Sequence, residues 1–123
     1  EIYYYKNEYD QAIDYFKKAI AIDQRFGNYY GLARDFLNLG DTYRKIKNYS
    51  EAEYYLKQGL LMEEKLGNKD WQGAAYLYFG KLYRDKGNKA LAKKYFTKAY
   101  NIFKSVGDEP DAQTSYQDLQ KLQ

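Results

Sequence analysis

Apolar residues along this chain recur at the three- and four-residue spacing that places them on one face of an α-helix. Between Asn48 and Leu66, one such stripe consists of Ala52, Tyr55, Leu56, Gly59, Leu60 and Met62. Asn48 and Glu51 form a capping-box pattern that begins a helix, and Gly67 is suited to end it. A second stripe then runs to about Lys86, with Asn68 or Asp70 as its N-cap, so the pattern predicts two consecutive helices.

The same pattern returns when the chain is shifted by 40 residues along itself. The superimposed columns include three alanines, three glycines and three tyrosines: Ala12, Ala52 and Ala92; Gly27, Gly67 and Gly107; Tyr15, Tyr55 and Tyr95. Repetition at such a period is typical of folds that stack one supersecondary unit on the next. We therefore expect further helices over residues 9–26, 28–46, 90–106 and 110–123, and repeats over residues 7–46, 47–86 and 87–123.

The repeat frame also predicts what lies at the two ends of the chain. Residues 1–5 fall where a preceding helix would end, so the chain opens within a repeat. Residues 111–123 form either a polar capping helix, favoured by Gln113, Gln117, Gln120 and Gln123, or the first half of a further repeat.

Two glycines, Gly40 and Gly80, lie in the middle of predicted helices at equivalent positions. Glycine inside a helix costs about 1 kcal/mol relative to alanine, so close packing is the reason to keep it there. The small residues Ala52 and Ala92 on the following helices are the expected partners.

The composition of the chain excludes most kinds of catalytic site. The chain has no Cys and no His, which excludes disulfides, thiol nucleophiles and the commonest metal ligands and general bases. The carboxylate pairs Glu63–Glu64 and Asp10–Asp14 are expected on polar helix faces, without an apolar pocket to raise a pKa. We therefore expect no enzyme activity, no cofactor and no metal.

Charge and hydropathy limit the classes of partner. The net charge of +3 is only mildly basic, and the basic pairs Lys17–Lys18 and Lys93–Lys94 lack an aromatic-interleaved stripe, so we do not expect a nucleic acid. No apolar run is long enough to span a membrane and no signal peptide is visible, so we expect a cytoplasmic protein.

The repeated motif resembles the tetratricopeptide repeat. Phe36, Leu39, Gly40 and Tyr43, followed by Ala52, match its pattern, and Tyr76, Phe79, Gly80, Tyr83 and Ala92 match it again. The family's usual proline after the second helix is missing, and the unit is 40 residues long instead of 34. Long units of this kind are similar to those of kinesin light chain, polarity adaptors and bacterial peptide-sensing regulators. The resemblance implies an all-α, right-handed α-solenoid (a superhelix) of about three helix-turn-helix units.

In this family, inward-facing residues of the first helix of each repeat bind peptides. The resemblance carries that role to Arg34, Leu37, Asn38, Asp41, Arg44 and Lys45, and to Ala74, Leu77, Tyr78, Lys81, Arg84 and Asp85. In the last helix it implies Thr114, Gln117, Asp118 and Lys121.

Basic residues outnumber acidic ones among the central positions of this concave groove, so it is expected to favour a peptide with acidic residues. The same side chains also suit a solvated helix face without a ligand. Asn38 resembles a backbone-binding asparagine of the family, but Tyr78 and Asp118 stand in its column. The family's clamp for the carboxylate tails of chaperones is not matched.

The many aromatic residues fall into two groups. Tyr43, Tyr55, Tyr76, Tyr83 and Tyr95 sit in repeat columns and are expected in or near the core. Tyr29, Tyr30, Tyr54, Tyr78 and Trp71 fall outside those columns and mark candidate contact patches, although Trp71 also suits a staple at the turn between helices.

The expected function is therefore that of a non-enzymatic scaffold or adaptor, which binds a protein or peptide in its groove. The alternative is self-assembly, in which copies stack end to end through an apolar face exposed on the first helix. The residues expected on that face are Ile2, Tyr3, Ile13, Phe16 and Ile20.

Overall fold

The structure is a computed structural model that describes the backbone of residues 2–122 and the side chains of residues 8–122. Within that part, six α-helices follow one another and no strand occurs: α1 Ile2–Phe26, α2 Tyr29–Lys45, α3 Tyr49–Leu66, α4 Lys69–Asp85, α5 Lys89–Ser105 and α6 Glu109–Lys121. Consecutive helices pack together, as α1 does with α2, α4 with α5, and α5 with α6. The predicted all-α helical-repeat fold is confirmed.

One predicted helix boundary is wrong. Residues 1–5 were expected to end a separate helix, but α1 continues without a break from Ile2 to Phe26. The position that begins a helix in the later repeats holds Asn48 and Asn88, whereas the equivalent residue here is Glu8. Without an N-cap side chain to start a new helix, the existing one continues.

The turns between helices follow the predicted capping. Gly27, Gly67, Gly87 and Gly107 all have positive φ angles, between 69° and 83°, which is the left-handed conformation expected after a helix C-terminus. The Asn68 side chain accepts the backbone N–H of Trp71 at 3.4 Å, and Asp108 caps α6 through the N–H of Asp111 at 3.1 Å. Lys47 adopts the same left-handed conformation at φ 66° without being a glycine.

The chain divides into two compact units, residues 1–62 and residues 63–123, with the boundary inside α3. In the first unit, a Cβ on Gly40 would lie 2.7 Å from Cγ of Leu56, and a Cβ on Gly59 would lie 2.6 Å from Leu37. The absence of side chains at these glycines lets α2 and α3 approach closely.

The second unit repeats this arrangement with larger partners. A Cβ on Gly80 would lie 2.5 Å from the ring of Phe96, and one on Gly73 would lie 2.7 Å from the ring of Phe103. The expectation that Ala52 and Ala92 fill the notches beside Gly40 and Gly80 is therefore wrong. Both alanines are fully buried, but the nearest side chain belongs to the residue one helical turn later.

The tyrosines of the repeat columns lie in ring stacks at the edge of each core. Tyr43 and Tyr55 stack in the first unit with centroids 5.7 Å apart, and Tyr83 and Tyr95 do so in the second at 5.6 Å. The Lys98 ammonium lies 5.3 Å from the centroid of the Tyr76 ring. This near-core position agrees with the prediction, and it accounts for part of the unusual tyrosine content.

An acidic pair connects α1 to α2. Burial, together with a hydrogen bond to Asp23 and the charge of Asp23, raises the pKa of Asp35 to about 7. Asp23 also accepts a hydrogen bond from Nδ2 of Asn28 at 3.2 Å. Asp35 is therefore best accommodated in its protonated form.

We predict that replacing Gly80 by alanine destabilises the second unit by about 1–2 kcal/mol. The gain in helix propensity is about 1 kcal/mol, and the clash with Phe96 costs more, since overpacking costs about 1–3 kcal/mol. Urea unfolding of Gly80→Ala measures the loss. In a Phe96→Leu background the same substitution should cost much less, because the ring that it meets is gone; an equal cost in both backgrounds would contradict the packing explanation.

We predict that the Asp23–Asp35 pair lowers stability as the pH rises. The folded pKa of Asp35 is raised from 3.8 to about 7, so its stabilising contribution is complete below about pH 4 and is lost as the pH rises towards 7. In urea unfolding between about pH 4 and pH 8, the stability of Asp35→Asn relative to the unmodified protein should increase with pH. Asp14→Asn, an exposed substitution on α1, is the control; if its relative stability rises equally, the pair is not the cause.

Candidate partner-binding surfaces

Four of the six residues predicted on α2 are at least partly accessible to a partner, and together with the buried Asp41 they are here called the α2 surface: Arg34, Asn38, Arg44 and Lys45. Nε of Arg44 lies 2.8 Å from Oδ1 of Asp41, and Nζ of Lys45 lies 3.6 Å from its Oδ2. Asp41 itself is only 9% exposed. Two cations therefore share one nearly buried carboxylate, and Arg34 adds an exposed positive charge.

Leu37 does not belong to the α2 surface. It is fully buried, and its side chain fills the space left by Gly59. It therefore holds α2 against α3 and does not reach a partner.

The residues predicted on α4 lie along one helix and differ in exposure. Ala74, Leu77, Tyr78 and Lys81 are half-buried, whereas Arg84 and Asp85 are exposed. Nε and Nη2 of Arg84 both contact Oδ1 of Asp85, at 3.2 and 3.1 Å. The C-terminal end of α4 is therefore a polar surface with a slight excess of positive charge from Lys81.

The N-terminal half of α4 opens into a cavity of about 380 Å³ in the second unit. Its lining combines three predicted residues with five others: Ala74, Leu77 and Tyr78, then Asp70, Trp71, Phe103, Asp108 and Asp111. The repeat pattern could not indicate this cavity, because Asp108 and Asp111 come from the turn before α6 and from its first residues. Trp71, which the sequence also allowed to pack at the turn between two helices, lines the cavity.

The carboxylates around this cavity, here called the α4 cavity, interact unfavourably with one another. Burial raises the pKa of Asp111, and a hydrogen bond with Asp108, the charge of Asp108 and the charge of Asp70 raise it further. The electrostatics of the α4 cavity are therefore opposite in sign to those of the α2 surface.

The residues predicted on the last helix are divided between its two faces. Thr114, Gln117 and Lys121 are exposed, whereas Asp118 is 9% exposed and lies on the buried face of α6 with Ala112 and Ser115. Gln113 and Gln120 are exposed, and the side chain of Gln123 lies outside the described residues. The interpretation of α6 as a cap stays a prediction.

An apolar face is exposed on α1, but it is not the predicted one. Ile13 is buried, Phe16 and Ile20 are half-buried, and the side chains of Ile2 and Tyr3 lie outside the described residues. The exposed residues are instead Tyr15, Ile22 and Phe26, at 68, 56 and 76%. Ile13 points towards the core because α1 packs against α2.

The carboxylate pairs do not form a reactive site. Glu63 was expected on a polar face but is fully buried, and its backbone carbonyl accepts a hydrogen bond from Nε2 of Gln72 at 3.2 Å. The equivalent residue 40 positions later is Phe103, so this column faces the core. Among the described residues, no three acidic side chains lie close enough together to hold a metal ion. None of the helices in residues 2–122 is long and apolar enough to cross a membrane.

Comparison with known proteins agrees with this architecture. Two models of the tetratricopeptide repeat match the chain, one over residues 1–62 and the other over residues 73–105. A search of curated proteins finds no match. Among solved structures, the crystal structure of BtubC (BKLC) from P. vanneervenii is similar, with a TM-score of 0.61 at 15% identity.

The alignment with BtubC covers 93% of this chain and 56% of that chain, so the present sequence spans little more than half the length of its structural relative. At this identity the likeness concerns the fold alone. The family models cover half of the chain or more. The chain belongs to the tetratricopeptide repeat family.

Proposed function

We propose that the chain is a non-enzymatic binding module that holds a partner protein through the predicted binding residues of α2 and of α4. Members of the family generally mediate contacts between proteins. The observation that most favours this role here is the α2 surface, where Arg44 and Lys45 are both held beside Asp41 by ion pairs.

The charge of the α2 surface supports a partner segment with acidic residues. Three of the five residues of this surface are cations, namely Arg34, Arg44 and Lys45, and one, Asp41, is a carboxylate. Nε of Arg44 is held 2.8 Å from that carboxylate, which fixes the position of this cation beside Lys45 before a partner arrives. Prior orientation reduces the entropy lost on binding, and Arg–carboxylate pairs are among the stronger charge-assisted hydrogen bonds.

The absence of Cys and His from the sequence favours a binding role over catalysis. We also propose a cytoplasmic location, because a chain without cysteine cannot form the disulfides that an oxidising compartment allows.

The alternative is self-assembly through α1. The exposed Tyr15, Ile22 and Phe26 lie seven and four residues apart, so they form one apolar stripe along the helix. Such stripes are uncommon on monomers and mark contact sites. Light scattering over a range of concentrations tests this alternative: association that is lost in Ile22→Asp supports it, and a monomer at high concentration contradicts it.

We predict that replacing Arg34 and Arg84 by alanine reduces partner binding at least fivefold. Each exposed charge pair contributes up to about 1 kcal/mol, and a loss of 1.4 kcal/mol weakens binding tenfold. The measurement is affinity capture from native lysate with the intact protein and with the double variant, followed by quantitative mass spectrometry of the captured proteins.

The matched control removes the same charge elsewhere. Lys18 and Lys65 are exposed on α1 and α3, so Lys18→Ala with Lys65→Ala lowers the net charge equally without touching α2 or α4. Proteins that depend on Arg34 and Arg84 but not on these lysines are specific partners. If both double variants capture the same proteins in the same amounts, the proposed binding surfaces are wrong.

A further inference from the structure

The α4 cavity combines an aromatic wall with a ring of carboxylates. Trp71 and Tyr78 come from α4, Phe103 comes from α5, and Asp70, Asp108 and Asp111 lie around them. No Lys or Arg belongs to this lining. On α5, Lys104 follows Phe103 in the sequence, and its ammonium lies 3.0 Å from Glu109, so its charge is directed to another carboxylate.

A simple count of charge gives the sign of the potential in the cavity. The N-termini of α4 and α6 lie at this site and contribute about half a positive charge each. When all three carboxylates are ionised, their three negative charges exceed the roughly one positive charge of the two helix N-termini, which leaves a net charge of about two negative charges. The raised pKa of Asp111, caused by burial and by Asp108 and Asp70, agrees with this excess. A bound cation would relieve the repulsion.

The cation is organic and not metallic. The acidic residues are not arranged closely enough to hold a metal ion anywhere in the described part of the chain, including here. Much of the wall is apolar or aromatic, and such surfaces attract guanidinium and ammonium groups through their π faces. Guanidinium is planar, stacks on aromatic rings and forms paired hydrogen bonds with carboxylates, whereas ammonium is a compact and strongly hydrated charge.

We propose that the α4 cavity binds an arginine side chain of a partner protein, with the guanidinium against Trp71 and Tyr78 and its N–H groups directed to Asp70 and Asp111. This inference rests on the proposed function, because it assigns a chemistry to one part of the partner. A partner protein then carries acidic residues for the α2 surface and an arginine for the α4 cavity.

Trp71 provides a direct measurement, because it is the only tryptophan in the chain. The probe is the peptide Ac-Ala-Ser-Gly-Arg-Gly-Ser-Ala-NH2, titrated into the whole chain at low ionic strength, with Trp71 fluorescence and calorimetry recorded in parallel. We expect a saturable change in fluorescence. The same peptide with citrulline in place of arginine has nearly the same shape without the charge, and it should bind at least tenfold more weakly.

The variant Asp70→Asn with Asp111→Asn tests the carboxylates. It should weaken the arginine peptide about tenfold, since two exposed charge pairs of up to about 1 kcal/mol each are lost. The substitutions remove mutual repulsion but also remove carboxylates from the first turns of α4 and α6, so circular dichroism is recorded to check that the variant is folded. Asp108 is left in place because it caps α6. Asp10→Asn with Asp14→Asn removes the same charge on α1 and should change the affinity less than twofold.

Three results would overturn the inference: no fluorescence change and no heat with the arginine peptide, equal binding of the citrulline peptide, or equal weakening in the α1 control. The proposed function is tested separately: after any of these results it is still supported if the capture of proteins from lysate depends on Arg34 and Arg84. Conversely, binding of the arginine peptide stands even if that capture is unaffected.

Discussion

The close approach of neighbouring helices at glycine is the constraint on which each unit depends. At Gly40 and Gly80, a single added carbon would lie within 3 Å of the side chain that packs there, which is closer than a real contact allows. The same notch receives a leucine in the first unit and a phenylalanine in the second. The notch lies at the same repeat position in both units, but the side chain that fills it differs in size. The two units therefore share a backbone arrangement and have different cores.

Much of the fold could be predicted from the sequence, since its signals are local. The left-handed glycines and asparagine caps fix where helices end, and the structure places those ends within one or two residues of the predicted positions. The run from Ile2 to Phe26 was missed because the repeat frame was applied where Glu8 replaces the capping residue. The partners of Gly40 and Gly80 were missed because residue spacing alone does not give the offset between two packed helices.

The candidate surfaces were predictable only where a single helix determines them. The ion pairs of Asp41 with Arg44 and Lys45 follow from three- and four-residue spacing. The α4 cavity joins residues from α4, α5 and the start of α6, so no periodicity within one helix reveals it. Its acidic character also reverses the charge expected for the groove as a whole, since the sequence indicated a role for only one of its aspartates, Asp70, and only as a helix cap.

Lys47 has a consequence for how the first unit opens. It holds the left-handed conformation that glycine holds at the ends of α1, α3, α4 and α5, and a residue with a Cβ pays about 1 kcal/mol for it. The turn between α2 and α3 therefore has backbone strain that the glycine turns do not have. Amide protons beside Lys47 are expected to exchange with solvent sooner than those at the glycine turns. Local unfolding of the first unit is therefore expected to begin at this turn.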